Sequence, residues 1–197
     1  RIRVALRLAA AKADPAGPVV TSGELRVHLA DRQVHRDGQE IHLTPIEFNL
    51  LAYLAKNAGK FALITLLDVL EHIPSHKCIE FLKAIHTALM PDGLVIIQVP
   101  NLQSPDGYLH MYNDITHAVG YVEHSLGQVL QAAGFNVFEF RGFEERPPVK
   151  LRHYVANTIR SSYYAWVRFR RKITKNLNPG ILNPVFFAVC RKQVRPD

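Results

Sequence analysis

Cysteine is scarce in this 197-residue chain: Cys78 and Cys190 are the only two. Two cysteines cannot build a disulfide framework or a four-thiolate zinc site. No apolar run reaches the roughly 18 residues a membrane-spanning helix needs. The longest candidate, Phe61 to Leu70, is interrupted by Asp68. No G-x-G occurs among the 11 glycines, so the glycine-rich turn that lets a backbone approach a nucleotide is missing. Repeats and low-complexity segments are absent as well. One long stretch lacks acid altogether: Arg146 to Lys175 holds nine basic residues and no Asp or Glu. Three arginines in the first eight residues are not followed by an apolar core, so no signal peptide is read and a cytoplasmic location is expected. The chain opens on Arg1 and not on methionine, which fits a piece of a longer protein.

What is present is the composition of a globular protein, with 48% hydrophobic and 21% charged residues and a net charge of +7. Three segments follow from the patterning. Residues 1–18 read as an amphipathic helix tail, Arg1 to Lys12, and a proline-rich linker. Residues 19–60 alternate apolar and polar in short runs. Glu24 to Leu29, Gln33 to Arg36 and Glu40 to Leu43 read as three strands, with Asp37-Gly38 as a hairpin turn. Thr44-Pro45-Ile46-Glu47 then starts a helix: a threonine cap, proline at the first helical position and glutamate three residues after the cap. After Gly59 the grammar changes, and residues 61–197 form the third segment. Phe61 to Leu67 and Leu94 to Val99 are continuous apolar runs, the pattern of strands buried on both faces. Phe135 to Phe140 and Val185 to Cys190 are further strands. Helices fall at Ser75 to Met90, Val122 to Ala133 and Val155 to Leu177, and Pro100 to Asp114 is a polar loop. Strands alternating with helices imply right-handed crossovers and a parallel, Rossmann-like sheet.

Asp31, Gly38, the run Leu43 to Phe48 and Leu50-Leu51 resemble the DNA-binding domain of OmpR/PhoB-type response regulators, a winged-helix-type fold. The resemblance covers about the first 60 residues. It implies a small antiparallel sheet and one scaffold helix. The recognition helix and wing that would follow have no counterpart after Gly59, so DNA is only a secondary expectation as a partner.

LITLLDVLEHIP (Leu63 to Pro74), FLKAIHTALMPDGLVIIQVPN (Phe81 to Asn101), NDITH (Asn113 to His117), SLGQVLQAAGF (Ser125 to Phe135) and FFAVCRK (Phe186 to Lys192) resemble the C-terminal half of a class I S-adenosylmethionine-dependent methyltransferase. The resemblance implies an α/β fold, with Phe61–Leu67, Leu94–Val99, Val185–Cys190 and Phe135–Phe140 as adjacent strands in that order. It places Leu67, Asp68, Glu71 and His72 beside the methionine part of S-adenosylmethionine. Asn101, Tyr108 and Tyr112 would face a small-molecule, glycan or lipid-linked acceptor, and Asp114 or His117 would serve as general base. Asp68-x-x-Glu71-His72 with His117 also resembles the metal motif of some methyltransferases. Because Glu71 and His72 more often cap and orient the next helix, a divalent metal is not expected.

Two grafted resemblances without the glycine turn imply a chimera-like chain, methyltransferase-like in its larger part and inactive or impaired in holding cofactor; whether it is an enzyme stays open. The basic aromatic stretch 155–177 is expected to pack as a lid with its arginines in water, peripheral membrane contact being the other reading. Cys78 is placed on the polar side of its helix, Cys190 in a buried strand.

Overall fold

The computed structural model describes residues 19–22, 24–143, 149–177 and 180–193. The expected helix Arg1 to Lys12 lies outside them. The chain divides into two compact units, residues 1–58 and 59–197.

The first unit is an antiparallel sheet, β1 (Val19–Ser22), β2 (Leu25–His28), β3 (Gln33–Arg36) and β4 (Gln39–Ile41), followed by α1 (Pro45–Lys56). β1 is a strand the sequence pattern did not disclose. The register aligns Val20 with Val27, Val27 with Val34 and Val34 with Ile41, an apolar row across all four strands. Asp37 and Gly38 both take positive φ, 50° and 81°, which is what a two-residue turn matching the strand twist requires. α1 buries Phe48, Leu51, Leu54 and Ala55. Its start is a full capping box: Thr44 Oγ1 accepts from the Glu47 amide at 3.4 Å, and a Glu47 carboxylate oxygen accepts from the Thr44 amide at 2.7 Å. Arg32 ties the β2–β3 turn to the helix. It donates to the Pro45 carbonyl and Asn49 Oδ1, and its guanidinium lies 5.0 Å from the centre of the Phe48 ring. Thr44→Ala is expected to cost this unit about 1 kcal/mol, seen as faster hydrogen exchange of the Glu47 and Phe48 amides.

The second unit contains β5 (Phe61–Leu67), a 3₁₀ turn (Leu70–His72), α2 (Ser75–Ala88), β6 (Leu89–Pro100), α3 (Gly107–Tyr112), α4 (Glu123–Ala132), β7 (Val137–Gly142), α5 (Leu151–Ile173) and β8 (Val185–Arg191). Its sheet has the order β5-β6-β8-β7, the expected one. The sheet is mixed, however, where an all-parallel one was expected: β5 and β6 are parallel, and β8 runs antiparallel to both β6 and β7. The reason is topological. Val185, the first residue of β8, pairs with Pro100 at the end of β6, and Gly142 at the end of β7 pairs with Phe186. The chain therefore leaves β7 and enters β8 at the same end of the sheet. No crossover is needed, and α5 belongs to an excursion at the carboxyl end.

Two apolar runs are less enclosed than expected. In β5 only Leu66 is buried, while Leu63 and Leu67 are about half exposed. Among the described residues β5 has one hydrogen-bonded neighbour and forms the sheet edge. In β6, Val95, Ile97 and Val99 are fully buried, but Leu94, Ile96 and Gln98 are only half-buried. α2 begins with Ser75 inside the helix and Pro74 at the cap, with no side-chain cap bond. Cys78 is buried on α2 with Phe81, Leu82 and Ile85, not on its polar side, and meets the Tyr121 hydroxyl at 3.2 Å. Burial raises its pKa and pushes that of Cys190 up to about 12, so neither thiol is a ready nucleophile. The polar loop after β6 contains α3. There Gly107 lies so close to the Asn101 carbonyl that a Cβ would sit 2.5 Å from the oxygen.

Candidate functional site

At the carboxyl end of β5 the backbone turns at Asp68, which takes a φ of 53°. Its two carboxylate oxygens accept from Gln98 Nε2 on β6, at 2.9 and 3.0 Å. Leu67, just before it, is half exposed. The 3₁₀ turn then buries Glu71 to 1% exposure, and neither carboxylate oxygen has a hydrogen-bond partner from another residue. Burial holds its pKa above the ordinary carboxylate value against the pull of its own backbone amide; the charge of Asp68 adds to the rise, and His72 and His117 act the other way.

The loop 113–119 folds over this turn. The amides of Ala118 and Val119 donate to the Glu71 carbonyl at 2.7 and 3.0 Å. His72 Nδ1 lies 2.9 Å from Thr116 Oγ1 and 3.3 Å from the Thr116 carbonyl. Thr116 Oγ1 donates to Asp114 Oδ1 at 2.7 Å, so its oxygen accepts from His72 Nδ1. His117 Nδ1 donates to the Met111 carbonyl at 3.1 Å. Each imidazole therefore uses Nδ1 as its donor toward the protein. The two rings meet edge to face, 4.7 Å between centres. One ligand atom from each of Glu71, His72 and His117 lies within 4.8 Å of the others.

Of the residues singled out in the sequence, Glu71, His72 and His117 converge, and Asp114 stands behind His72 through Thr116. Asp68 is not in the cluster, its oxygens being held by Gln98. Asp114 is exposed, and bonds from the Thr116 hydroxyl and amide lower its pKa, which weakens it as a base. Asn101 requires a correction. It is 0% exposed, donates through Nδ2 to the Ile181 and Asn183 carbonyls, and accepts at Oδ1 from the Gln103 amide. It braces the loops and does not face an acceptor. Tyr108 and Tyr112 are exposed on α3 and line an open depression of about 640 Å³ with Leu109, His110 and Asn113. Thr116 and Gln98 were not singled out beforehand. The Asp-x-Thr spacing of Asp114 and Thr116, which suits a local side-chain turn, is the one signal that could have found Thr116. Gln98 gives none, since its partner is set by strand pairing. The aromatic helix is not a core-packed lid: of α5 only Val167 is buried.

The sequence model of a family described as a methyltransferase domain matches residues 9–139. The chain belongs to that family. A crystal structure of a SAM-dependent methyltransferase from Archaeoglobus fulgidus superposes with a TM-score of 0.51 at 20% identity, over 73% of this chain and 65% of that one; the likeness is one of fold. A second similarity is of a different kind. Over 60 residues the chain is 53% identical to the KDP operon transcriptional regulatory protein KdpE of Escherichia coli (strain K12), covering 30% of this chain and 26% of that protein. It is 43% identical over 60 residues to KdpE of Mycobacterium tuberculosis (strain H37Rv). The chain spans about a quarter of the length of these curated relatives. No described helix is long and apolar enough to cross a membrane.

Proposed function

We propose that the chain is a methyltransferase domain with a weakened hold on S-adenosylmethionine. The observation that carries this reading is the half sheet β5-β6-β8-β7, whose carboxyl end presents Leu67 and Asp68 but whose sequence contains no glycine-rich turn. These residues fit the methionine side of the cofactor. Among the described residues nothing fits the other half, so the grip is incomplete. S-adenosylmethionine supplies the methyl group when bound. Transfer itself needs mainly that two reactants be held in line, and an acceptor hydroxyl would be received near Tyr108 and Tyr112. His117, whose Nδ1 is anchored on the Met111 carbonyl, would serve as the base in preference to Asp114. A full site with a Kd on the order of 10 μM would, at 1 mM ligand, add about 2.7 kcal/mol and raise the melting point by roughly 5–10 °C. The expected rise for this chain by calorimetry is below about 2 °C. A rise in the upper range would overturn the impairment.

A second reading concerns the three convergent ligands. The buried carboxyl group of Glu71 and the two imidazoles, with one ligand atom of each within 4.8 Å of the others, fit a divalent cation of the zinc or manganese kind. Thr116 and the Met111 carbonyl would orient the imidazoles from behind. When bound, such an ion supplies a Lewis acid for a hydroxyl acceptor. Titration with Zn²⁺, the wild type against Glu71→Gln, tests it.

The alternative function, DNA contact by the first unit, is favoured by the 60-residue likeness to KdpE. It is opposed by the lack of any counterpart to a recognition helix after Gly59.

A further inference from the structure

Helix α5 carries its apolar side outward. At 100° per residue, Leu151, Val155, Ile159, Trp166, Phe169 and Ile173 fall within an arc of about 80°. All six are exposed, Trp166 to 55%, Phe169 to 63% and Ile173 to 64%. Val167, the buried residue of the helix, lies on the other side. That inner side is tied down by polar bonds: Arg171 donates to the Gln103 carbonyl at 2.7 Å and Arg168 to the Gly180 carbonyl at 2.9 Å. The arrangement inverts the usual one, in which the apolar stripe of a surface helix faces the core.

The charge around the stripe is of one sign. Residues 149–177 contain eight Lys and Arg and no Asp or Glu. Arg170 flanks the stripe and lies 5.6 Å from the centre of the Trp166 ring. A helix with large aliphatic and aromatic side chains on one face, tryptophan among them, and cations along its borders is suited to an interface between hydrocarbon and anionic headgroups. The same features argue against other occupants. A second copy laid stripe to stripe would bring the cations bordering one stripe, Arg170 among them, against those of the other. A nucleic acid offers phosphates but nothing for the central aliphatic stripe. The helix is too charged to cross a bilayer. We infer that α5 docks this protein, lying flat, on a bilayer containing anionic phospholipid. The inference does not depend on methyl transfer. It would bring the carboxyl end of the sheet, from which the α5 excursion departs, close to a lipid surface.

Trp166 is the chain's single tryptophan, so its emission reports the helix alone. The full chain is mixed with vesicles of phosphatidylglycerol and phosphatidylcholine, and separately with pure phosphatidylcholine. The expected result is co-sedimentation with the anionic vesicles and a shift of Trp166 emission to shorter wavelength. Partitioning should be at least about tenfold stronger than onto neutral vesicles at 0.1 M salt and should weaken as salt is raised. Phe169→Asp, at an exposed position that leaves the core intact, should lose about tenfold in partitioning. Ile46→Asp, exposed on the first unit, should bind like the parent. Equal partitioning onto both vesicle types, or an unchanged Phe169→Asp, overturns the proposal. So does an emission shift that appears without vesicles and grows with protein concentration, which would mean self-association. Binding of short duplex DNA with no vesicle partitioning overturns it equally.

Discussion

Phe186→Ala is expected to cost the second unit about 3–5 kcal/mol, the largest loss of any single truncation here. β8 lies between β6 and β7, so its inward side chains are surrounded by strands on both sides. Phe186 is 0% exposed; it pairs with Val99 on one side and Gly142 on the other, and its ring meets that of Phe140 at 5.7 Å. For a protein of this size the loss should lower the melting midpoint by roughly 6–20 °C. Phe187→Ala, one residue on and facing the other side of the sheet, is half-buried and should cost about half as much. Calorimetry on the three proteins separates the cases. Equal costs at 186 and 187 would mean that β8 is not enclosed as the strand order requires.

The strand order around Phe186 was legible beforehand because three apolar runs and the FFAVCRK close resemble a known half sheet. The direction of β8 was not, because alternation of strands with helices says nothing about a last strand inserted between two others. Burial was overread for the same reason that direction was. FALITLL is apolar throughout, yet it lies at an edge, and a run of apolar residues cannot tell an edge strand from a central one. The hairpin and α1 were read correctly down to Thr44, since capping and positive-φ turns are local. β1 was missed because VVTS is four residues beside a glycine. At the candidate site, Glu71, His72 and His117 could be picked out by residue type, but their convergence depends on the loop 113–119 folding back onto the Glu71 carbonyl. Asn101 was misassigned because an asparagine after a strand looks the same in sequence whether it brackets loops or meets a ligand. α5 was read as amphipathic, correctly, but periodicity does not say which face points inward.

Glu71→Gln separates the two roles that its environment allows, a helix-orienting residue and a metal ligand. In metal-free buffer the wild type holds a buried carboxyl group with no hydrogen-bond partner from another residue. Burial raises its pKa, so the folded state binds its proton more tightly than the unfolded chain does. Stability then falls as pH rises from the ordinary glutamate range through the raised value, and the full penalty is present above it. Glutamine removes the ionisable group, so the variant should lose the wild type's fall in stability with rising pH, the difference between the two fading as pH drops through the raised value. If the residue only orients the next helix, Zn²⁺ or Mn²⁺ will leave both melting midpoints where they were. If Glu71, His72 and His117 bind the ion, added metal favours the wild type. At a free concentration 100 times its Kd the wild type gains about 2.7 kcal/mol, or roughly 5–10 °C, while the variant, with two imidazoles left, gains little. Thr116→Val gives a graded check, because it removes the hydroxyl that accepts from His72 Nδ1 without touching a ligand. It should weaken metal binding by about 10–100-fold while leaving the metal-free pH dependence of stability in place. A Thr116→Val protein that binds metal like the wild type would mean that the hydroxyl does not orient His72, whose Nδ1 also lies 3.3 Å from the Thr116 carbonyl.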